Sequence, residues 1–212
     1  MLRIDRALVI SSLLFVSAVS AVSAVPAYAD PPPSEPVVVD ITASGTGCLA
    51  GGGTIAVTVA PDNTAFTVTY GPVVAQVGVG AQSVDFRKTC LLSLFVHAPP
   101  GFTYAVDSAD YGGFASLAAG STATARTTYS FQGQSGTGIV VHSLSGPFVD
   151  FWQFQDAFDL AALQFAPCSA QRNLNILADL RVSVGTSDPA TTTSFFELDP
   201  PVTYHLTWKR CP

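Results

Sequence analysis

His97, His142 and His205 are the three imidazoles of this 212-residue chain. A general base or a zinc site would need them to converge in space. They stand more than forty residues apart, which neither provides nor forbids that. Each falls in a stretch that reads as a strand, and surface imidazoles are the plainer account. A Ser-His-Asp relay can be drawn from His97, Asp107 and Ser135. Chain order is weak ground for it, because geometry defines a triad. Gly133-Gln134-Ser135-Gly136 lacks the full G-x-S-x-G elbow, and a flexible Gly/Ser loop explains it as well.

The carboxylates fall into loose groups, Asp107 with Asp110 and Asp150 with Asp156 and Asp159. A glycosidase needs two carboxyls about 5–10 Å apart across a cleft. Asp107-x-x-Asp110 has too few oxygens for a calcium loop of the D-x-D-x-D-G kind. Solvated turn aspartates account for both groups. No catalytic residue, metal ligand or cofactor is therefore expected, and the balance is against an enzyme. The alternatives are a secreted hydrolase with an unrecognised site among Asp107, Asp110, His97 and His142, or a secreted inhibitor or antagonist. No inhibitory loop motif is visible.

The richest stretch is Phe148–Phe158, FVDFWQFQDAF, with five aromatics in eleven residues. On a loop, Phe151, Trp152 and Phe154 would form a stacking platform for sugar rings or an anchor for a partner. The competing account is that these rings cap an open end of the core, which is commoner for large apolar side chains.

The elements that must position these residues read as β-structure throughout. Thr89–Tyr111 reads as a hairpin with a Pro99-Pro100-Gly101 turn, and Cys90, Leu92, Leu94 and Val96 share one face. Thr54–Val59 and Thr64–Tyr70 alternate about a Pro61-Asp62-Asn63 turn. Asn173–Gly185 places Leu174, Ile176, Ala178, Leu180, Val182 and Val184 on one parity, with Asn173, Asn175, Asp179, Arg181 and Ser183 on the other. Thr203–Cys211 repeats this, with Tyr204, Leu206 and Trp208 inward and His205, Thr207 and Lys209 outward. No window has a convincing 3.6-residue period, though Asp156–Phe165 has room for a helical turn. Short strands with turn signals about every ten residues predict an all-β fold, an antiparallel β-sandwich of jelly-roll-like or Greek-key type. A closed barrel is the alternative.

Residues 1–29 read as a signal peptide, with basic Arg3 and Arg6, an apolar run and an Ala27-Tyr28-Ala29 cleavage site before Asp30. A retained membrane helix is the rival. The serines in the run and the prolines after it favour removal, leaving no membrane span. Residues 30–36, DPPPSEP, read as a disordered lead-in, and 37–212 as a single domain of about 175 residues, enough for a sizeable core. Removing the leader takes away Asp5, Arg3 and Arg6, leaving 14 acidic against 7 basic residues. Without a basic footprint, nucleic acid is not an expected partner. An extracellular glycan or a protein is, and the chain is expected to be a monomer.

Four cysteines, Cys48, Cys90, Cys168 and Cys211, remain in the exported chain. An even number in a secreted protein predicts two disulfides, and no C-x-x-C or paired Cys/His spacing points to zinc. Of three connectivities, Cys48–Cys90 with Cys168–Cys211 is preferred, since each closes a loop of similar length within one half of the chain.

Longer phrases carry a resemblance. ASGTGC, PDNTAFTVTY, RKTCLLSLFVHAPPGFTYAVDSADYGGFASLAAG, SFQGQS, PCSAQRNLNILADLRVSVGTSDP and TYHLTWKRCP together resemble a family of small secreted proteins of bacteria and fungi, known only as a domain of unknown function. The resemblance spans Val37 to Pro212. It implies export, four cysteines and one β-rich domain, and it carries over no catalytic residue.

Overall fold

The computed structural model describes residues 29–48, 54–134, 138–168 and 170–212. The signal-peptide reading and Ser135 thus fall on residues outside this set. Among the described residues, twelve strands form two antiparallel sheets. They are β1 (Val38–Ser44), β2 (Ala56–Val59), β3 (Ala65–Thr69), β4 (Val73–Gly78), β5 (Arg87–His97), β6 (Phe102–Leu117), β7 (Thr122–Phe131), β8 (Gly138–Ser145), β9 (Phe148–Ala157), β10 (Leu174–Ser183), β11 (Thr193–Leu198) and β12 (Val202–Arg210). The order is β1-β5-β10-β7-β8 in one sheet and β2-β3-β12-β6-β11-β4, with β9 on β6, in the other. The helical room after Asp156 is filled by a single 3-10 turn, Leu160–Ala162, capped by the Asp159 carboxylate. No helix of the described residues is long and apolar enough to cross a membrane.

The alternation read in β10 and β12 follows burial, except that Asp179 and Thr207, read as outward, are buried and Ala178, read as inward, is only partly so. Leu174, Ile176, Leu180 and Val182 face Tyr204, Leu206 and Trp208 in one continuous core. Burying such faces is the main favourable term in folding. On the outer parity of β10, Asp179 is held by Arg87 of β5 and by Arg181. Burial would raise the Asp179 carboxyl, but the two guanidiniums outweigh it and hold it below the usual carboxylate range.

Two expectations are corrected. Thr89–Tyr111 is not a hairpin. Its arms, β5 and β6, lie in different sheets, and Pro99-Pro100-Gly101 arches between them. Alternation marks which face of a strand is apolar, and both an arch and a hairpin satisfy it. The Pro-rich lead-in, read as disordered, is tied down. Asp30 donates its N–H to Trp208 O, and its carboxylate accepts from Arg210 N. The Asn63 amide donates to Pro33 O and Glu35 O and accepts from Val37 N. Asn63 sits at φ 56°, a left-handed geometry that asparagine tolerates, and its own carbonyl accepts the Trp208 indole N–H. Phe148–Ala157, whose secondary structure the sequence left open, is a full edge strand, with consequences for the aromatic run. The Ala56–Val59 and Ala65–Thr69 pairing and both disulfides, Cys48–Cys90 and Cys168–Cys211, are as read from the sequence.

The long strand β6 organises the second sheet. β9 pairs with Ser108–Leu117, overlapping the stretches that pair with β12 (Phe102–Asp110) and β11 (Gly113–Ser116). A strand has two edges, so β9 occupies one, and β11 and β12 lie end to end along the other. Between β11 and β12 stands Asp199-Pro200-Pro201. Prolines have no N–H to give a ladder, so the pairing breaks there. The break is opposite Gly112, whose carbonyl accepts the Asp199 N–H.

Candidate functional site

At this break the outer face of the second sheet is hollowed. On β6, Asp110, Gly112 and Phe114 point outward, and Gly112 contributes no side chain. In register beside them on β9 are Gln155, Gln153 and Phe151. On the other flank Thr203 lies opposite Asp110, with Asp199 and Pro201 at the break. The result is a groove of about 770 Å³, floored by Gly112 and Gly113. Both glycines are demanded by close approach. A Cβ on Gly113 would lie 1.9 Å from Glu197 O and 2.9 Å from Trp152 Cζ2, and one on Gly112 would lie 2.8 Å from Trp152 O.

The groove wall is made of aromatic and planar polar groups. Phe151 is 77% exposed and meets Phe114 edge-on, with centroids 5.3 Å apart. Phe114 in turn lies 5.9 Å from Phe195, extending an outward aromatic row across three strands. Gln155 Nε2 donates to Asp110 Oδ1 at 2.8 Å, and His205 Nε2 meets Asp110 Oδ2 at 2.7 Å. The carboxylate is thereby fixed in orientation while remaining half exposed. Glu197, two residues before Asp199, has its carboxyl raised by burial and then by the Asp199 charge.

The aromatic run divides by parity, which corrects the platform of Phe151, Trp152 and Phe154. Trp152 is only 4% exposed. It stacks on Phe196 at 4.7 Å and meets Tyr111 edge-on at 6.1 Å. Phe154, on the same inward parity, stacks on His142 at 4.3 Å. Of the three rings, only Phe151 faces solvent. Successive side chains on a strand point to opposite faces, so three rings at 151, 152 and 154 cannot share one.

Asp156 continues the inward parity and is fully buried. Its carboxylate accepts from Tyr111 at 2.7 Å, from Tyr129 at 2.6 Å and from His142 Nε2 at 2.8 Å. Tyr129 and His142 belong to the first sheet, on β7 and β8, so this cluster ties β9 to the opposite layer. Burial, reinforced by the Asp156 charge, pushes the Tyr111 phenol well above its usual range. Tyr129 is raised further, by burial first and then by Tyr204 and Asp156.

The other residues singled out from the sequence do not form one site. His97 pairs with Asp40 on the outer face of the first sheet, and Asp110 pairs with His205 on the outer face of the second. Asp107 accepts the hydroxyls of Ser108 and Thr207, and His142 is turned toward Asp156. Asp150 is exposed and accepts from Phe151 N, whereas Asp156 is interior. The sequence reading missed Gln153, Gln155, Asp199 and Thr203. The signal for the first two was present, since Phe151, Gln153 and Gln155 share one parity once Phe148–Ala157 is taken as a strand.

The comparisons with known proteins bear on family. Residues 34–211 match the family described as a domain of unknown function, DUF4360. The chain belongs to that family. A relative, an uncharacterized secreted protein of Arthroderma benhamiae, is 30% identical over 189 residues, covering 85% of this chain and 74% of its own. Among solved structures, a family 11 carbohydrate-binding module from Clostridium thermocellum, in complex with a mixed-linked tetrasaccharide, is 10% identical with a TM-score of 0.24. It is matched over 79% of this chain and 88% of its own. The Desmodium yellow mottle tymovirus chain is 10% identical with a TM-score of 0.27, over 89% and 98%. Neither likeness carries an argument about this chain.

Proposed function

We propose that this is a secreted, non-catalytic β-sandwich that binds polysaccharide outside the cell through the groove above Gly112. The supporting observation is the outward Phe151 ring standing beside a side-chain gap rimmed by Gln153, Asp110 and Asp199. An aromatic face covers the apolar face of a sugar, and amides and carboxylates meet its hydroxyls. Export is supported by the leader, by two disulfides of the kind oxidising compartments maintain, and by the secreted relative. Cleavage before Asp30 leaves a first residue that β12 holds through the Asp30 hydrogen bonds to Trp208 and Arg210. The test is retention on insoluble polysaccharides and on cell wall. Wild type is retained and Phe151→Ala loses at least about tenfold in affinity, worth ~1.4 kcal/mol. Wild-type protein that stays folded yet is retained on no matrix defeats the reading.

A protein partner is the second reading, and one observation favours it. β9 pairs with β6 alone among the described residues, and its outward Val149 and Phe151 are 71% and 77% exposed. An extended partner segment added to that edge would cover both. Protection of β9 amides from hydrogen exchange by a captured protein, and not by any glycan, would favour this reading over the first.

A further inference from the structure

Resting on the glycan reading, we infer that the groove selects uncharged glycans and rejects those bearing carboxylate or sulfate groups. Among the described residues the groove lining holds two aspartates, Asp110 and Asp199, and neither lysine nor arginine. The two carboxylates flank the Gly112 gap, one on β6 and one at the β11–β12 break, so a ligand group seated over the gap lies between them. Glu197 adds a third carboxylate on the same arm, its carboxyl raised first by burial and then by the Asp199 charge. His205 faces Asp110, and its Nε2 is already committed to that carboxylate.

This arrangement favours sugar hydroxyls for a second reason. Asp110 has one oxygen bonded to Gln155 and the other to His205. A carboxylate offers about four lone-pair sites, so acceptor capacity remains after two are used. Its orientation is set before a ligand arrives, so little ordering is needed on binding. A hydroxyl donating to an ionised carboxylate makes a stronger bond than one donating to a neutral acceptor. Gln153, in register with Gly112, adds an amide that both donates and accepts. A uronate or sulfate at the same place has no proton to donate and meets like charge.

The experiment compares matched polymers. A soluble neutral β-glucan is set against the same glucan carboxymethylated, and methyl-esterified pectin against de-esterified pectin, by affinity electrophoresis with the full secreted protein. The expected result is retardation by at least one neutral polymer and at least about tenfold weaker binding to its charged partner. That discrimination shrinks at about 1 M salt, where the screening length falls to ~3 Å. Asp110→Asn/Asp199→Asn should recover about tenfold toward the charged polymer. Asp199→Asn alone, at an exposed position, should recover part of it if the double variant folds poorly. Asp40→Asn, the same charge change on the opposite sheet, should recover nothing. Equal or tighter binding of the charged polymer overturns this inference and leaves the glycan reading standing. A discrimination unmoved by Asp199→Asn overturns it as well. Binding to none of the polymers, neutral or charged, overturns this inference, and retention on no insoluble polysaccharide or cell wall removes the glycan reading with it.

Discussion

The two sides of β9 have opposite fates within one strand. Its inward side, Trp152, Phe154 and Asp156, is bound into both layers of the sandwich. Trp152 lies on Phe196, Phe154 on His142, and Asp156 under three donors. Its outward side, Phe151, Gln153 and Gln155, rests on Asp110, Gly112 and Phe114 and is open to solvent. The contrast teaches that a cluster of aromatics is not itself a site. Alternation sends half of it to stability and leaves half for recognition. The inward half also holds the outward half in place, since an edge strand with no second neighbour would otherwise fray.

The comparison breaks first, if it breaks, at Trp152. Trp152→Ala should cost ~3–5 kcal/mol through the cavity it leaves, comparable to Trp208→Ala, in urea unfolding. A loss under about 1 kcal/mol for Trp152→Ala, with Trp208→Ala unchanged in its cost, would return Trp152 to the surface. Next comes Asp156→Ala, which removes the acceptor for three donors. At ~1–3 kcal/mol for each buried group left unsatisfied, a total near ~3 kcal/mol is expected, with faster exchange of β9 amides. Asp156→Asn, which keeps an acceptor, should cost less.

Alkaline titration sharpens the same contrast without mutation. Tyr111, Tyr129 and Tyr204 have phenols raised above their ordinary value, chiefly by burial. A group raised in the folded state contributes stability that is whole below its unfolded pKa, about 10, and is lost as pH climbs from there. Tyrosinate absorbance should therefore rise late and together with unfolding. Early ionisation of these three tyrosines in folded protein would contradict the buried cluster. Asp179 gives the mirror case on the first sheet. Its lowered pKa contributes stability above about pH 4 that is lost as pH falls through the folded value, and Asp179→Asn should flatten that acid limb. The smallest effect belongs to the outward side. Phe151→Ala and Gln153→Ala should change stability by no more than about 0.5 kcal/mol while weakening glycan retention.

Much of the fold was legible because its signals are local. The parity of Leu174 to Val182 and of Tyr204 to Trp208 fixed which faces are buried, and the even cysteine set in an exported chain pointed to the two disulfides that are present. Pro61-Asp62-Asn63 marked a turn through its own chemistry, although the second task of Asn63, clamping Pro33, Glu35 and Val37, carried no mark in the sequence. The period-two pattern also determined that Phe151 and Trp152 must face apart, once their segment was known to be a strand.

Tertiary structure alone decided where the strands went. The alternation of β5 and β6 is the same whether their arms pair in one sheet or arch between two, and pairing energy comes from neighbours distant in sequence. The placement of β11 and β12 end to end along β6, with Asp199-Pro200-Pro201 set against Gly112, depends on contacts about ninety residues apart. That juxtaposition makes the groove. A local pattern can say which side of a strand is apolar, but only long-range packing can bring an outward phenylalanine, two glutamines and two aspartates around a missing side chain.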